Sequence, residues 1–249
     1  MTRLQGKVAL ITGAAMGMGA SHARIFVREG ARVVLTDIDA TAGAALAAEL
    51  GESATFVQLD VTSPESWATA VDHAEQTFGH ITVLVNNAGL AGPAVATADL
   101  PVNVYQKTVD VDENGVFYGM RAIIPSMITA GRGSIVNISS TAGFSHVLGT
   151  PNIAYTAAKF AVRGMSKAAA IEYAPSGIRV NSVHPGGVLT PMVANGLDEK
   201  GLAAVSANIP LGRLADPEEI SNVVLFLASD ESSYITGAAL IADGGMLAK

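Results

Sequence analysis

Short apolar runs rich in β-branched residues alternate with amphipathic stretches along the whole chain. The runs fall at 7–12, 32–37, 54–60, 81–86, 133–139, 178–183 and 237–242, and the helical stretches near 18–29, 41–50, 64–78, 101–130, 154–174 and 217–228. A continuous apolar run, as opposed to a strictly alternating one, marks a strand buried on both faces. Such strands, each followed by a helix, pair in parallel through right-handed crossovers. The expected fold is therefore α/β, a doubly wound, parallel, seven-stranded sheet with helices on both faces. A sheet of this kind binds ligands at the carboxyl ends of its strands. Gly13, Asp37, Asp60, Asn87, Ser140 and Gly186 all fall at or just past such ends. The 249 residues suit one domain, 1–249, and leave no room for a separate substrate domain.

The first strand, KVALIT, runs into Thr12-Gly13-Ala14-Ala15-Met16-Gly17-Met18-Gly19, and the amphipathic SHARIFVREG follows. Strand, glycine turn and helix together make a cradle for dinucleotide phosphates. The glycines permit a tight turn and close backbone approach, and the helix N-terminus favours an anion. The spacing is G-x-x-x-G-x-G. The second strand ends at Asp37, where a carboxylate can accept from ribose hydroxyls and repel a 2′-phosphate. Arg32 begins that strand and does not offset Asp37. Asp39 is placed to cap the next helix.

Tyr155 and Lys159 stand four residues apart in AYTAAKFAVRGMSKAAAIEY, so the phenol and the ammonium share a helix face. A phenol is a poor acid–base catalyst at its reference pKa of about 10. A positive charge about 4 Å away is worth roughly 4 kcal/mol at an effective dielectric near 20, which opens proton exchange at neutral pH. With the Ser140 hydroxyl just after GSIVNISS, these groups suit interconversion of a carbonyl and an alcohol.

Taken together, TGAAMGMG at 12–19, Asp37, Asp60-Val61, Asn86-Asn87-Ala88-Gly89, Ser140, Tyr155-x-x-x-Lys159, and Pro185-Gly186 followed by Thr190-Pro191 resemble the short-chain dehydrogenase/reductase family over nearly the full chain. Within it the chain looks most like bacterial NAD-dependent dehydrogenases of cyclic alcohols and hydroxysteroids. The resemblance implies a Rossmann fold and NAD as cofactor. It implies that Tyr155 exchanges the proton, that Lys159 holds the nicotinamide ribose and activates Tyr155, and that Ser140 binds the substrate oxygen, with Ser139 structural. Asp60 and Val61 would meet adenine. Asn87 would lie by the adenosine ribose, with Asn86 bracing the sheet, and Thr190 would fix the carboxamide. Met16, Met18, Ala88, Gly89, Pro185, Gly186 and Val188 would complete the cofactor site. A homotetramer is implied as well. In the middle helix the family carries an asparagine where this chain has Asp112, in Val111-Asp112-Glu113-Asn114-Gly115-Val116-Phe117. The substitution adds a negative charge near Lys159, expected to oppose its field at Tyr155.

The chain has 22 acidic and 15 basic residues, a net charge of −7 and no cysteine. This balance speaks against nucleic acid and anionic membranes as partners, and disulfide and thiolate chemistry are excluded. MTRLQGKVALIT reads as a first strand and not as a signal peptide, so the expected compartment is the cytoplasm. The histidines show no metal-ligand spacing, and no metal is expected. His22, His73 and His80 are expected to be solvated or capping, His184 structural and Trp67 a packing residue. His146 lies between Ser140 and Tyr155, where it could meet substrate, as could Gly186 and Met192. Residues 191–210, carrying Met192, Val193, Leu197, Leu202 and Val205, read as a lid over an apolar substrate. Two other functions compete with a secondary-alcohol dehydrogenase: an NADP-dependent ketoacyl-type reductase, disfavoured by Asp37, and a weakly catalytic NAD-binding sensor or subunit.

Overall fold

The computed structural model describes residues 2–146, 151–194 and 198–248, the side chains of residues 192, 194 and 199 excepted. Within these residues the strands are β1 (Val8–Thr12), β2 (Arg32–Asp37), β3 (Ala54–Gln58), β4 (Val83–Asn86), β5 (Gly133–Ile138), β6 (Ile178–Pro185) and β7 (Ala239–Ala242). They form one seven-stranded sheet in the order β3-β2-β1-β4-β5-β6-β7, and every pairing is parallel. The helices are α1 (Gly17–Arg28), α2 (Ala40–Leu50), α3 (Pro64–Phe78), α4 (Val102–Val109), α5 (Gly115–Ala130), α6 (Ile153–Tyr173), α7 (Pro191–Ala194), α8 (Glu199–Ala207) and α9 (Pro217–Ala228).

Alternate side chains of the strands feed two cores. Ile11, Val33 and Leu35 join Ile25 and Phe26 of α1 and Val224 and Leu225 of α9 on one face. Leu10, Val34 and Leu84 join Trp67 of α3, Ile123 and Met127 of α5 and Val162 of α6 on the other. Each large side chain so buried contributes about 1.5–3 kcal/mol. Trp67 is a packing residue, as expected, and its indole N–H donates to the Val61 carbonyl at 3.0 Å. The chain leaves β1 toward β2 and β3, then returns to β4 on the other side. The strand order therefore reverses between β1 and β4, where such a sheet opens a binding crevice.

Side chains cap most of the helices around this crevice. Asp39 accepts from Ala42 N, Ser63 from Ser66 N and Asn152 from Tyr155 N. Asp216 and Glu219 form a reciprocal capping box on α9. The N-cap of α1, Met16, makes no side-chain bond, and the first turn carries no acid. The N-terminal N–H groups of α1 are therefore left facing the crevice without a side-chain acceptor.

Three expectations need correction. Residues 101–130 are not one regular helix. A π turn, Asp110–Asn114, separates α4 from α5 and inserts one extra residue per turn, which rotates the acidic run. Instead of being solvated or capping, His22 is fully buried between α1 and α9, with Nδ1 2.7 Å from Ser221 Oγ. Burial lowers its pKa to about 3. β3 stops at Gln58 and not at residue 60, because Asp60 folds back to accept from the N–H and hydroxyl of Thr62. His73 and His80 are paired as surface residues, with Thr55 and Glu75 respectively.

Candidate active site

The crevice between β1 and β4 opens into a cleft of about 410 Å³. The glycine turn forms its floor. Gly13 and Gly17 have φ of +62° and +57°, a region that side chains other than glycine rarely enter. A Cβ on Gly19 would lie 2.0 Å from the Gly13 carbonyl, so helix and turn touch backbone to backbone. Asp37 closes one end of the cleft. Its carboxylate accepts from Ala15 N at 2.9 Å and from Asp39 N at 3.0 Å, which fastens it to the glycine turn and leaves lone pairs free. Asp60 and Val61, and Asn87, Ala88 and Gly89 after β4, form the walls. Met16, Met18, Thr190 and Pro191 complete the rim.

Asn87 donates to the carbonyls of Thr12 and Gly13, and its own Oδ1 is buried without a partner. Asn86 donates to Asn137 across β4 and β5, so it braces the sheet. Ile38, Leu59, Leu90, Lys107 and Val111 also line the cleft and were not singled out from the sequence. Ile38 and Leu59 directly follow β2 and β3, a position that could have identified them. Lys107, the only cation among the described lining residues, reaches the cleft from α4, and no sequence pattern pointed to it.

Beyond the cleft, α6 presents Tyr155 and Lys159 on one face. The Lys159 ammonium lies 5.3 Å from the centre of the Tyr155 ring. It is buried, donates to the Ile138 carbonyl and pairs with Asp112 Oδ1, both at 3.3 Å. Burial pulls its pKa down, but Asp112 and Tyr155 outweigh burial and hold it above the ordinary lysine value. Asp112 is fully buried in the π turn, and burial raises its carboxyl more than Lys159 and the Leu90 N–H lower it.

Ser140 lies two residues past the end of β5, at the start of a short 3-10 turn, Thr141–Gly143. Its hydroxyl accepts from Ala142 N, and its carbonyl accepts from His184 Nδ1 at 2.8 Å. That carbonyl needs a donor, so His184 carries its proton on Nδ1 and accepts from Ser182 at Nε2. Burial, first, then the Arg163 and Lys159 charges lower its pKa to about 4, against the Ser140 bond, and the imidazole is neutral at physiological pH. The Phe144 and His184 rings pack in a T shape with centres 4.6 Å apart, and Arg163 stacks on Phe144. Ser139 donates to the Lys159 carbonyl at 2.9 Å, which ties the end of β5 to the middle of α6.

Gly186 and Val188 follow β6; Gly186 N donates to the Ala242 carbonyl and Val188 is buried in the core. Val205 of α8 and Ile209 approach Gly187 beside them. His146 is exposed and bonded to Thr156. The side chain of Met192 and residues 195–197, including Leu197, lie outside the described parts of the structure.

An uncapped helix N-terminus after a glycine turn, a carboxylate at the tip of β2 and a Tyr155–Lys159 pair beyond the cleft make the arrangement of a dinucleotide-dependent α/β oxidoreductase. Comparison with known proteins agrees. The family model described as "Enoyl-(Acyl carrier protein) reductase" matches residues 13–247. The 3-alpha-(or 20-beta)-hydroxysteroid dehydrogenase of Mycobacterium bovis is 51% identical over 246 residues, covering 99% of this chain and 91% of the relative. The cyclohexanol dehydrogenase of an Acinetobacter species is 41% identical, covering 99% and 97%. The crystal structure of a short-chain type dehydrogenase/reductase from Mycobacterium marinum superimposes with a TM-score of 0.94 at 34% identity, covering 100% and 98%. The chain belongs to the short-chain dehydrogenase/reductase family, whose members transfer hydride to or from a nicotinamide cofactor.

Proposed function

We propose that this protein is an NAD-dependent dehydrogenase of secondary alcohols, acting on apolar or cyclic substrates. The observation that carries the reading is the Lys159 ammonium held against the Tyr155 ring, next to a cleft closed by the Asp37 carboxylate. The residues present fit the cofactor. Gly13, Gly17 and Gly19 leave room for phosphates at the uncapped start of α1. Asp37 has lone pairs for ribose hydroxyls. Asn87 Oδ1 is a buried acceptor without a partner. Asp60, Val61, Ala88, Gly89, Pro185, Gly186, Val188 and Thr190 would hold the remainder.

When bound, NAD supplies the acceptor for the hydride leaving the alcohol carbon. The protein's own groups manage the oxygen. Ser140 would hold it by a hydrogen bond, with His184 fixing the Ser140 backbone from behind. Tyr155 would take the hydroxyl proton as the carbonyl forms and return it in the reverse direction. Lys159 would favour the phenolate by its charge. Residues 191–210 would act as a lid, with Val205 and Ile209 supplying apolar surface. The names of the relatives, a hydroxysteroid and a cyclohexanol dehydrogenase, support a cyclic substrate.

We place the enzyme in the cytoplasm as a homotetramer. No described helix is long and apolar enough to cross a membrane, and Phe117, Ile128, Phe160 and Ile171 leave apolar surface exposed on α5 and α6. Sedimentation would read the assembly. The decisive experiment is turnover of cyclohexanol, cyclopentanol and a 3-hydroxysteroid with NAD. Reduction of NAD by at least one of them is expected, and no turnover across the panel would overturn the reading.

A further inference from the structure

We infer that Asp112 is a positioning residue that holds the Lys159 ammonium by charge and sets the pH range in which Tyr155 exchanges its proton. The inference rests on the catalytic roles proposed above for Tyr155 and Lys159.

The geometry is that of a built ion pair. The π turn places the Asp112 side chain inside the molecule, fully buried. Oδ1 accepts from Leu90 N at 3.0 Å and faces Lys159 Nζ at 3.3 Å. Oδ2 is buried with no partner among the described residues, and Lys159 is the one charge among them that acts on the carboxylate. Gly89 closes over the pair, where a Cβ would lie 2.6 Å from Asp112 Oδ1 and 3.3 Å from Lys159 Nζ. A neutral residue would fill the same space. A buried carboxylate in it costs desolvation, and the ammonium is what offsets that cost.

The charges around the pair are few. The π turn packs on α4, α5 and α6. Lys107 of α4 lines the cleft. α6 brings Lys159 to Asp112, with the Tyr155 ring 5.3 Å from the ammonium. The Lys159 and Arg163 charges both act on the neutral His184, and Asp110 of the turn is bonded to Gln106 and Asn114. On the turn itself Glu113 is partly buried, and burial raises its carboxyl. Only Lys159 acts on Asp112 electrostatically at contact range.

The consequence follows from distance. The two contacts in series, 3.3 and 5.3 Å, keep the carboxylate within about 9 Å of the phenol ring. Across that separation, at an effective dielectric near 20, one negative charge moves a titration by roughly one pH unit. The ammonium favours the phenolate, and the carboxylate behind it takes part of that effect back. The enzyme is thereby set to oxidise alcohols at higher pH than it would with a neutral residue at position 112. Leu90, a wall of the cleft, hangs from the same oxygen. The carbonyl of the next residue, Ala91, accepts from Asn152, the cap of the helix that carries Tyr155. Loop, ammonium and phenol are thus one mechanical unit.

The test reads the phenol directly in the protein without cofactor. The five tyrosines are labelled with carbon-13 at Cζ, and the Tyr155 signal is assigned by its loss in Tyr155→Phe. In Asp112→Asn, which keeps size and an acceptor for Leu90 N–H, the Tyr155 signal should titrate about one pH unit lower than in wild type. Asp112→Glu, which keeps the charge, should titrate near wild type even if its activity falls. Equal titration of wild type and Asp112→Asn, or equal shifts in the Asn and Glu variants, would overturn the inference. Should Asp112→Asn not fold, Asp112→Ser carries the same expectation, and an unmoved signal in it carries the same refutation. The alkaline rise of alcohol oxidation should shift with the signal. Absence of alcohol turnover by wild type would instead count against the proposed function, since the titration needs neither substrate nor cofactor.

Discussion

Asp37→Asn tests the proposal that the Asp37 charge selects the cofactor. The variant retains one oxygen able to accept from Ala15 N, the 2.9 Å bond that fastens β2 to the glycine turn, and gives up the acceptor for the exposed Asp39 N, so the glycine turn should keep its shape. What changes is one negative charge at the cleft end. A 2′-phosphate in place of a ribose hydroxyl brings at least one further negative charge to hydrogen-bonding range. Two like charges about 4 Å apart cost about 1 kcal/mol in water and about 4 kcal/mol at an effective dielectric near 20. Asp37 is half-buried, so the cost lies between these limits. That is a preference for NAD over NADP of between about fivefold and about 700-fold, at about 1.4 kcal/mol per tenfold. The assay is kcat/KM for both cofactors, with one alcohol at fixed ionic strength, in wild type and variant. The ratio in Asp37→Asn should collapse by most of the wild-type preference, chiefly through a gain with NADP. A wild type that uses both cofactors equally, or a variant whose ratio does not move, would refute the reasoning.

Four further outcomes are expected. Tyr155→Phe should lose about 10²–10⁴-fold in turnover while NAD binding, read by calorimetry, stays as in wild type; Lys159→Ala should lose both turnover and cofactor affinity. Gly19→Ala should lose NAD binding with circular dichroism unchanged, because its Cβ would sit 2.0 Å from the Gly13 carbonyl and force the turn open; an unaltered Kd would count against the cradle. His22 is neutral in the fold down to about pH 3 but accepts a proton from pH 6.5 downward in the unfolded chain. Its contribution is therefore complete above pH 6.5 and is lost as pH falls toward 3, by up to about 1.4 kcal/mol per pH unit. Urea midpoints between pH 4 and 7 should fall less steeply in His22→Gln, and parallel slopes would exclude this origin.

The amino-acid sequence by itself determined the sheet. Runs such as VALIT and RVVLTD have no polar face, so they fit only strands covered on both sides, and their alternation with helices dictates parallel pairing. It also determined the local parts of the site. Tyr155 and Lys159 share a face because they are four apart on one helix, and the glycine turn opens a helix that has no capping side chain. Each of these is a relation between near neighbours, which periodicity and residue type encode. What the tertiary structure alone decided involves partners far apart in the chain. His22 reads as the polar side of an amphipathic helix, yet α9 covers it, and its partner Ser221 is 199 residues away. Lys107 reaches the cleft only because α4 packs on the π turn and on α6. Asp112 reads as one of several acids in Val-Asp-Val-Asp-Glu-Asn, and no propensity marks a π turn there. Its contact with Lys159, and with Leu90 across the cleft wall, exists because that turn rotates one carboxylate inward against a helix 47 positions on. Burial and charge pairing at that range are set by how the elements pack, and local sequence does not carry them.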